Sequence, residues 1–392
     1  MSERKIPITK QKELAKTVPI NLPEGIKKPE YGRTLEEFVE GQVFTHPRGF
    51  TISDSFAQEF ATTFLDTNPL YLNAEYAKGH GFRGQVVPPL MVLNLALSMG
   101  VQNDSEKAVA HLGYYDVVFP RTVYPGDTLR SMTKVLARQD RGEGKPGIVT
   151  VRTVGLNQKD EIVVQYDRKI MIPTGKEKKL AESKPGILPE IGAATAWIPR
   201  ATSPYPKLLT GPNTYFEDFT VGDIIVHANG RTISEEHYAW TYRLGNTHPL
   251  HYDKIYTQSR SGPLSGQPVV YGGLVFAWLA GLASRDTTEN GLWDFGYTEG
   301  YHTQPVIAGD TVYAISRVLH KEPHPDPIDE KIPAGMVTFQ LIGVKNRKGS
   351  EALEKYGADL FVKENDKKAL GKEKIPEKIF EIERRVLIKK RP

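Results

Sequence analysis

No cysteine occurs in the 392 residues, which excludes disulfides, thiolate metal sites and a cysteine nucleophile. That absence suits a reducing, cytoplasmic location. Long apolar runs are missing too. The longest, 269–283, falls short of the roughly 20 residues that span a bilayer and is interrupted by Gly272-Gly273, so it predicts a buried helix and no membrane partner. The first twenty residues carry Lys and Glu throughout, without an apolar run before a cleavage site, so no secretion signal is expected. Charge of one sign is scarce: 51 Lys and Arg face 47 Asp and Glu, and a net charge of +4 calls for no nucleic-acid partner. Much of the basic excess lies in 367–374 and 384–391, which predicts a solvated, charged C-terminal tail over 364–392. Gly-x-Gly-x-x-Gly, Walker, nucleophile-elbow and His-Glu-x-x-His patterns are also absent, leaving nucleotide-phosphate binding, serine hydrolysis and zinc chemistry without support. No metal and no separate cofactor is expected.

What is present is a repeat. Phe38, Gly41, His46, Gly49 and Thr51-Ile52-Ser53 recur at constant offset as Phe219, Gly222, His227, Gly230 and Thr232-Ile233-Ser234. Asp66-Thr67-Asn68-Pro69-Leu70-Tyr71 recurs as Asn246-Thr247-His248-Pro249-Leu250-His251, each followed by a tyrosine, Tyr76 or Tyr256. Pro88-Pro89-Leu90 aligns with Gly272-Gly273-Leu274, and Pro125-Gly126-Asp127-Thr128 with Ala308-Gly309-Asp310-Thr311. The order never changes, so two homologous domains are expected. Boundaries follow from composition: an arm over 1–30, a first domain over 31–183, a Pro/Gly/Ala-rich linker over 184–212, a second domain over 213–363, then the tail. In each copy a helix-compatible apolar segment, 90–100 or 274–283, precedes strand-like runs; in the first these are 112–119, 128–136 and 148–155. The class is α+β, two antiparallel sheets joined into one, each wrapped around its own helix.

The segment with most chemistry is Gly245-Asn246-Thr247-His248-Pro249-Leu250-His251-Tyr252-Asp253. It resembles the hydratase motif of MaoC-like dehydratases and (R)-specific enoyl-CoA hydratases, Gly-Asp-x-Asn-Pro-x-His followed one residue later by an acidic residue. Gly245, Pro249, His251 and Asp253 match; Asn246 stands where the family has its catalytic Asp, and His248 where it has Asn. The first copy keeps Asp66, Asn68 and Pro69 but has Tyr71 in place of His. The family draws both catalytic side chains from one domain, so Asp66 and His251 are not expected to meet. A closer resemblance runs from Phe38 to Gly343. Val123-Tyr124-Pro125-Gly126-Asp127-Thr128-Leu129 onward to Arg168, and His302-Thr303-Gln304-Pro305 before Ala308-Gly309-Asp310-Thr311, are similar to mesaconyl-CoA (2-methylfumaryl-CoA) hydratases. The resemblance implies a tandem (double) hot-dog fold and an acyl-CoA substrate, with coenzyme A as part of that substrate.

Hydration needs a base for the water proton and donors for the enolate oxygen. The resemblance makes His251 the base. Asn246 is a partner that orients His251 or water, or else a remnant, since an amide cannot transfer protons as a carboxylate does. The N–H groups of Gly272 and Gly273, at a helix start, are the expected oxyanion donors. The first copy has Pro88-Pro89 at these positions, and because proline has no N–H an oxyanion hole cannot be built there; with Tyr71 in place of His, only the second domain is expected to be catalytic. His248, Tyr271 and His302 are expected to contact substrate, although His248 equally fits a residue that shapes the turn before Pro249. Asp253 reads as the cap of 254–257 and Asp66 as the cap of the Asn68-Pro69 turn. His248 and His251 are poor metal ligands with Pro249 between them.

Three functions remain open: a hydratase of a short, branched, dicarboxylic acyl-CoA such as mesaconyl-CoA, a general (R)-specific enoyl-CoA hydratase, and a thioesterase or acyl-CoA-binding protein. Tyr271-Gly272-Gly273 offers no carboxylate for hydrolysis. A dicarboxylic substrate calls for a cation near the acyl end, with Arg243 and Arg285 nearest in sequence. A homodimer is expected, because hot-dog sheets commonly pair.

Overall fold

A computed structural model describes residues 25–175, 186–191, 209–260, 264–323 and 333–391. Residues 1–31 form a unit of their own, of which 25–31 are described, without helix or strand. Most of the expected arm, and of the linker between 191 and 209, lies outside the described residues.

Eleven strands build one antiparallel sheet. In the first repeat they are β1 (Val43–Thr45), β2 (Phe50–Thr51), β3 (Ala110–Val118), β4 (Thr128–Gln139), β5 (Gly147–Leu156) and β6 (Ile162–Ile172). In the second they are β7 (Ile224–Thr232), β8 (Gly291–His302), β9 (Thr311–Pro323), β10 (Ala334–Lys345) and β11 (Lys378–Lys389). The order is β1-β4-β5-β6-β3-β8-β11-β10-β9-β7, with β2 also on β4. Each half therefore reads as the other reversed, and the halves join where β3 pairs with β8, Tyr114 opposite Gly300 and Val117 opposite Tyr297.

Strand patterning explains the layers. Along β4, Leu129, Ser131, Thr133 and Val135 are buried while the residues between them are not, the period of a half-buried strand. The concave face wraps the helices Pro89–Asp104 and Gly272–Thr287, which are apolar on every side and buried almost throughout. Proline begins the first of them, where its fixed φ costs no hydrogen bond. The two helices touch at Gly273: a β-carbon there would lie 1.7 Å from Asn94 Oδ1, and Asn94 Nδ2 donates to the Gly273 carbonyl at 3.3 Å. Gly281 lies as tightly on the first repeat, with its added β-carbon 1.7 Å from the Phe64 carbonyl oxygen.

Three expectations are corrected. Three strands per copy are expected, whereas the first copy also has β1, β2 and β6 and the second also has β7 and β11. More consequentially, 364–392 is not a solvated tail, because β11 lies between β8 and β10 in the middle of the sheet. Ile379, Phe380, Ile382, Val386, Leu387 and Ile388 are buried, and most of the charges between them have partners, while Arg385 is exposed. Lys378 meets Glu381 at 2.8 Å, Arg384 meets Asp294 at 3.1 Å and Lys389 donates to the Tyr76 hydroxyl at 2.6 Å. Counting charges cannot separate a solvated run from a strand whose buried charges are paired across its neighbours. The second repeat therefore extends past 363, and the helical excursion that begins at Gly349–Tyr356 is an insertion between β10 and β11. The linker is not free either. Leu188 is buried beside Val154 and Leu156, and the Gly186 N–H donates to the Gly41 carbonyl at 3.2 Å.

Candidate active site

The motif turn is built from its own side chains. Asn246 Oδ1 accepts the His248 N–H at 3.0 Å, and His248 Nδ1 accepts the Leu250 N–H at 3.2 Å. His248 Nε2 then donates to the Ala108 carbonyl of the other repeat at 3.0 Å. Pro249 opens a single 3-10 turn, Pro249–His251, and Asp253 caps the helix Lys254–Gln258 by accepting from the Tyr256 N–H at 3.0 Å. The first repeat runs the same circuit. Asp66 accepts from the Asn68 N–H, and Asn68 accepts from Leu70 and donates across to the carbonyls of Thr288 and Gly291. His248 thus does the work of Asn68, and its turn-shaping role is the one its contacts describe. Burial, reinforced by His251, pushes it down to about 3, which keeps it neutral.

His251 differs. Its Nδ1–H donates to the Val269 carbonyl at 2.8 Å, which fixes the tautomer and leaves Nε2 as a free lone pair. Burial pushes the imidazole down to about 4. The ring lies on the wall of a cavity of about 250 Å³ that also takes in Asn246, His248, Tyr271, Gly272 and His302. Asn246 Oδ1 is occupied by its turn, so its Nδ2 is the end available to a ligand. The rings of His251 and Tyr271 are 5.5 Å apart.

Gly272 and Gly273 open the second central helix. Its first helical bonds are those of the Leu274 and Val275 N–H groups to the Tyr271 carbonyl, so the two glycine N–H groups precede the ladder. A β-carbon on Gly272 would lie 2.6 Å from the His302 ring, so glycine is what allows that imidazole to lie against the helix start. Gly272 is on the cavity wall; Gly273 is turned to Asn94. His302 Nε2 is buried without a partner among the described residues, and burial together with His251 pushes the ring to about 4.

The expected alignment of the helix starts is off by one residue. Val87 and Val270 make equivalent bonds, to Val123 and Val306, and Met91 and Leu274 likewise bond Pro88 and Tyr271. Pro89 therefore stands for Gly272, and Leu90, which keeps its N–H, stands for Gly273. Only the first of the two amides is lost to proline in the first repeat. Its cavity, walled by Tyr71, Pro89, Phe119 and Trp293, has nevertheless closed to about 20 Å³. Asp66 lies near Arg384 and Asp294 and is pushed by burial to about 6; it is not on the wall of the cavity that takes in His251.

The first repeat supplies part of the wall, and three titratable residues there are not among the expected site residues: His111 and Tyr114 on β3 and Arg168 on β6. The expected cations are elsewhere. Arg243 forms a two-point pair with Glu59 and lies over the Trp240 ring, and Arg285 is an exposed side chain beside Asp286. Neither is on the cavity wall. Arg168 is 3% exposed, with Nη2 held by Asp104 at 3.0 Å. No helix among the described residues is long and apolar enough to cross a membrane.

Comparison with known proteins bears on the family and the fold. A family model described as mesaconyl-CoA hydratase matches residues 20–186. The chain is 30% identical over 327 residues to the β-methylmalyl-CoA dehydratase of Chloroflexus aurantiacus, covering 82% of this chain and 90% of that protein. It is 31% identical over 326 residues to the mesaconyl-CoA hydratase of Cereibacter sphaeroides, covering 81% and 91%. Among solved structures, a putative MaoC domain protein dehydratase from Chloroflexus aurantiacus superposes with a TM-score of 0.78 at 27% identity, covering 94% of this chain and 100% of that one. A Mycobacterium tuberculosis protein described as a double hot-dog fold gives 0.66 at 20% identity over 91% and 98%, a likeness of fold alone.

Proposed function

This chain belongs to the mesaconyl-CoA hydratase family, and we propose that it reversibly adds water to the double bond of a short, branched, α,β-unsaturated acyl-CoA such as mesaconyl-CoA. The observation that carries the site assignment is His251, whose Nδ1 is committed to Val269 while the ring shares one cavity with Gly272 at an open helix start.

In this reading the thioester oxygen takes the amides of Gly272 and Gly273, with His302 alongside. Water lies between Asn246 Nδ2 and His251 Nε2. As the water oxygen bonds to the β-carbon, Nε2 takes its proton and the π electrons move to the thioester oxygen, giving an enolate held by the amides. The protonated His251 then returns the proton to the α-carbon, so one water is added and the imidazole is regenerated. An imidazole pushed down to about 4 is neutral at physiological pH and ready to accept, and the enolate's negative charge raises its basicity as the proton arrives. A preformed oxyanion donor of this kind is worth about 3–4 kcal/mol of barrier.

Among the described residues no Asp or Glu is on the cavity wall, so the carboxylate a hot-dog thioesterase would use is not among them. The test offers mesaconyl-CoA, crotonyl-CoA and a saturated acyl-CoA, following enoyl absorbance and free thiol. Loss of absorbance with mesaconyl-CoA and no thiol release is expected. Hydration of crotonyl-CoA alone points to a general enoyl-CoA hydratase, and thiol release ends the hydratase reading.

A further inference from the structure

The closed cavity of the first repeat already holds a carboxylate, and the open one has room for one. The strand registers pair Tyr114 with Arg168 on β3 and β6, and Tyr297 with Arg384 on β8 and β11, so Arg168 and Arg384 are equivalent. By the same step along the strands, His111 stands where Asp294 does. In the closed cavity the Asp294 carboxylate takes the Arg384 Nη2 donor at 3.1 Å and the Tyr297 hydroxyl at 2.9 Å. The open cavity has a histidine in its place and, among the described residues, no carboxylate on its wall. Arg168 is held from behind, its Nη2 donating to Asp104 at 3.0 and 3.1 Å and to Ser105 at 3.3 Å. Its Nε and the Nε2 of His111 are both buried without a partner among the described residues.

We infer that Arg168, with His111 beside it, is a carboxylate subsite that receives the free carboxylate of a dicarboxylic enoyl-CoA, in the position Asp294 fills next to Arg384. The inference rests on the hydratase reading and narrows its substrate class. A guanidinium fork suits two carboxylate oxygens, and Asp104 keeps it in place when the cavity is empty. Discrimination follows from what is left unpaired: a neutral acyl tail strands a buried N–H, which a carboxylate satisfies. Position fits as well. In a 2-methylfumaryl thioester the free carboxylate is bonded to the carbon that water attacks, so its receptor belongs in the same small cavity as the base, where Arg168, His111 and His251 all lie.

The test uses the full chain, the double variant Asp104→Asn with Arg168→Gln, which keeps the pair uncharged and similar in shape, and Arg168→Lys, which keeps the charge and loses the fork. Turnover of mesaconyl-CoA and crotonyl-CoA is measured together with calorimetric binding of succinyl-CoA and butyryl-CoA. The ratio of kcat/KM for mesaconyl-CoA over crotonyl-CoA should fall by about 10- to 100-fold in the double variant, the worth of a hydrogen bond to a charged group. The preference of the wild type for succinyl-CoA over butyryl-CoA should vanish with it. If the double variant does not fold, Arg168→Lys should show the same selective loss. Equal losses on both substrates, or a wild type that binds succinyl-CoA no more tightly than butyryl-CoA, overturn the subsite. A wild type that hydrates neither enoyl-CoA defeats the hydratase reading alone, because the binding pair needs no turnover and still decides the subsite.

Discussion

At the scale of single residues, two side chains at equivalent positions have opposite consequences. His251 offers a lone pair to an open cavity, whereas Tyr71 fills a closed one. Replacing His251 with Ala is expected to lower kcat on the enoyl-CoA substrate by about 10²- to 10⁴-fold, the usual worth of a positioned general base. Tyr71→Phe should leave kcat at the wild-type value, and equal losses would refute a single working site. The pH profile follows from the same imidazole. Protonated His251 cannot accept, so kcat/KM should be flat through neutral pH and fall as pH drops towards about 4. An acid limb centred near the ordinary histidine value would contradict the burial of the ring. Much of this local arrangement is legible in the chain, because Asn246, His248, Pro249 and Asp253 bond to backbone within a few residues of themselves. Arg168 and His111 are not legible. They reach the cavity from the other repeat, and although Arg168 ends the stretch similar to mesaconyl-CoA hydratases, neither its spacing nor that of His111 assigns it to a site in the second domain.

At the scale of elements, the same division holds for helices and strands. The helix Gly272–Thr287 announces itself by an apolar run after two glycines, but β11 is disguised by alternating charges that find partners only once β8 and β10 flank it. Its cost when missing is correspondingly large. A chain ending at Glu377 strands the edges of β8 and β10 and uncovers the core around Ile379 and Phe380, so it should lack the cooperative thermal transition and native far-UV dichroism of the full protein. A soluble, cooperatively melting truncation would mean that β11 is dispensable. The helix also has a spacing requirement that no periodicity reveals. Gly281→Ala drives a methyl group into the Phe64 carbonyl and should destabilise the fold by about 1–3 kcal/mol, measured by denaturant titration, without altering the cavity residues.

At the scale of the whole molecule, the double hot-dog holds two cavities that each draw walls from both repeats, and divergence has opened one and closed the other. The repeat was legible as a constant order of landmarks, while the exchange of walls was not, because it depends on β3 meeting β8. The burial of histidines leaves a pH signature. Burial holds His80, His251 and His302 at about 4 and His248 at about 3, against 6.5 for an exposed imidazole. The unfolded chain therefore binds protons at these positions between about 6.5 and 4 that the folded chain does not, so stability rises with pH across that window. Asp66 opposes them, since burial raises it from 3.8 to about 6 and the folded state there holds the extra proton, and burial raises Glu106 and Asp294 in the same sense. These acids are outnumbered, because His46, His111 and His237 are lowered by burial too. Thermal melts should give a Tm that is level above about pH 6.5 and falls steeply towards about pH 4, each histidine contributing at most about 1.4 kcal/mol per pH unit. His302→Gln should make that acid decline shallower by one proton. A slope unchanged by the substitution would show that His302 protonates freely in the folded protein and is not sealed against Gly272.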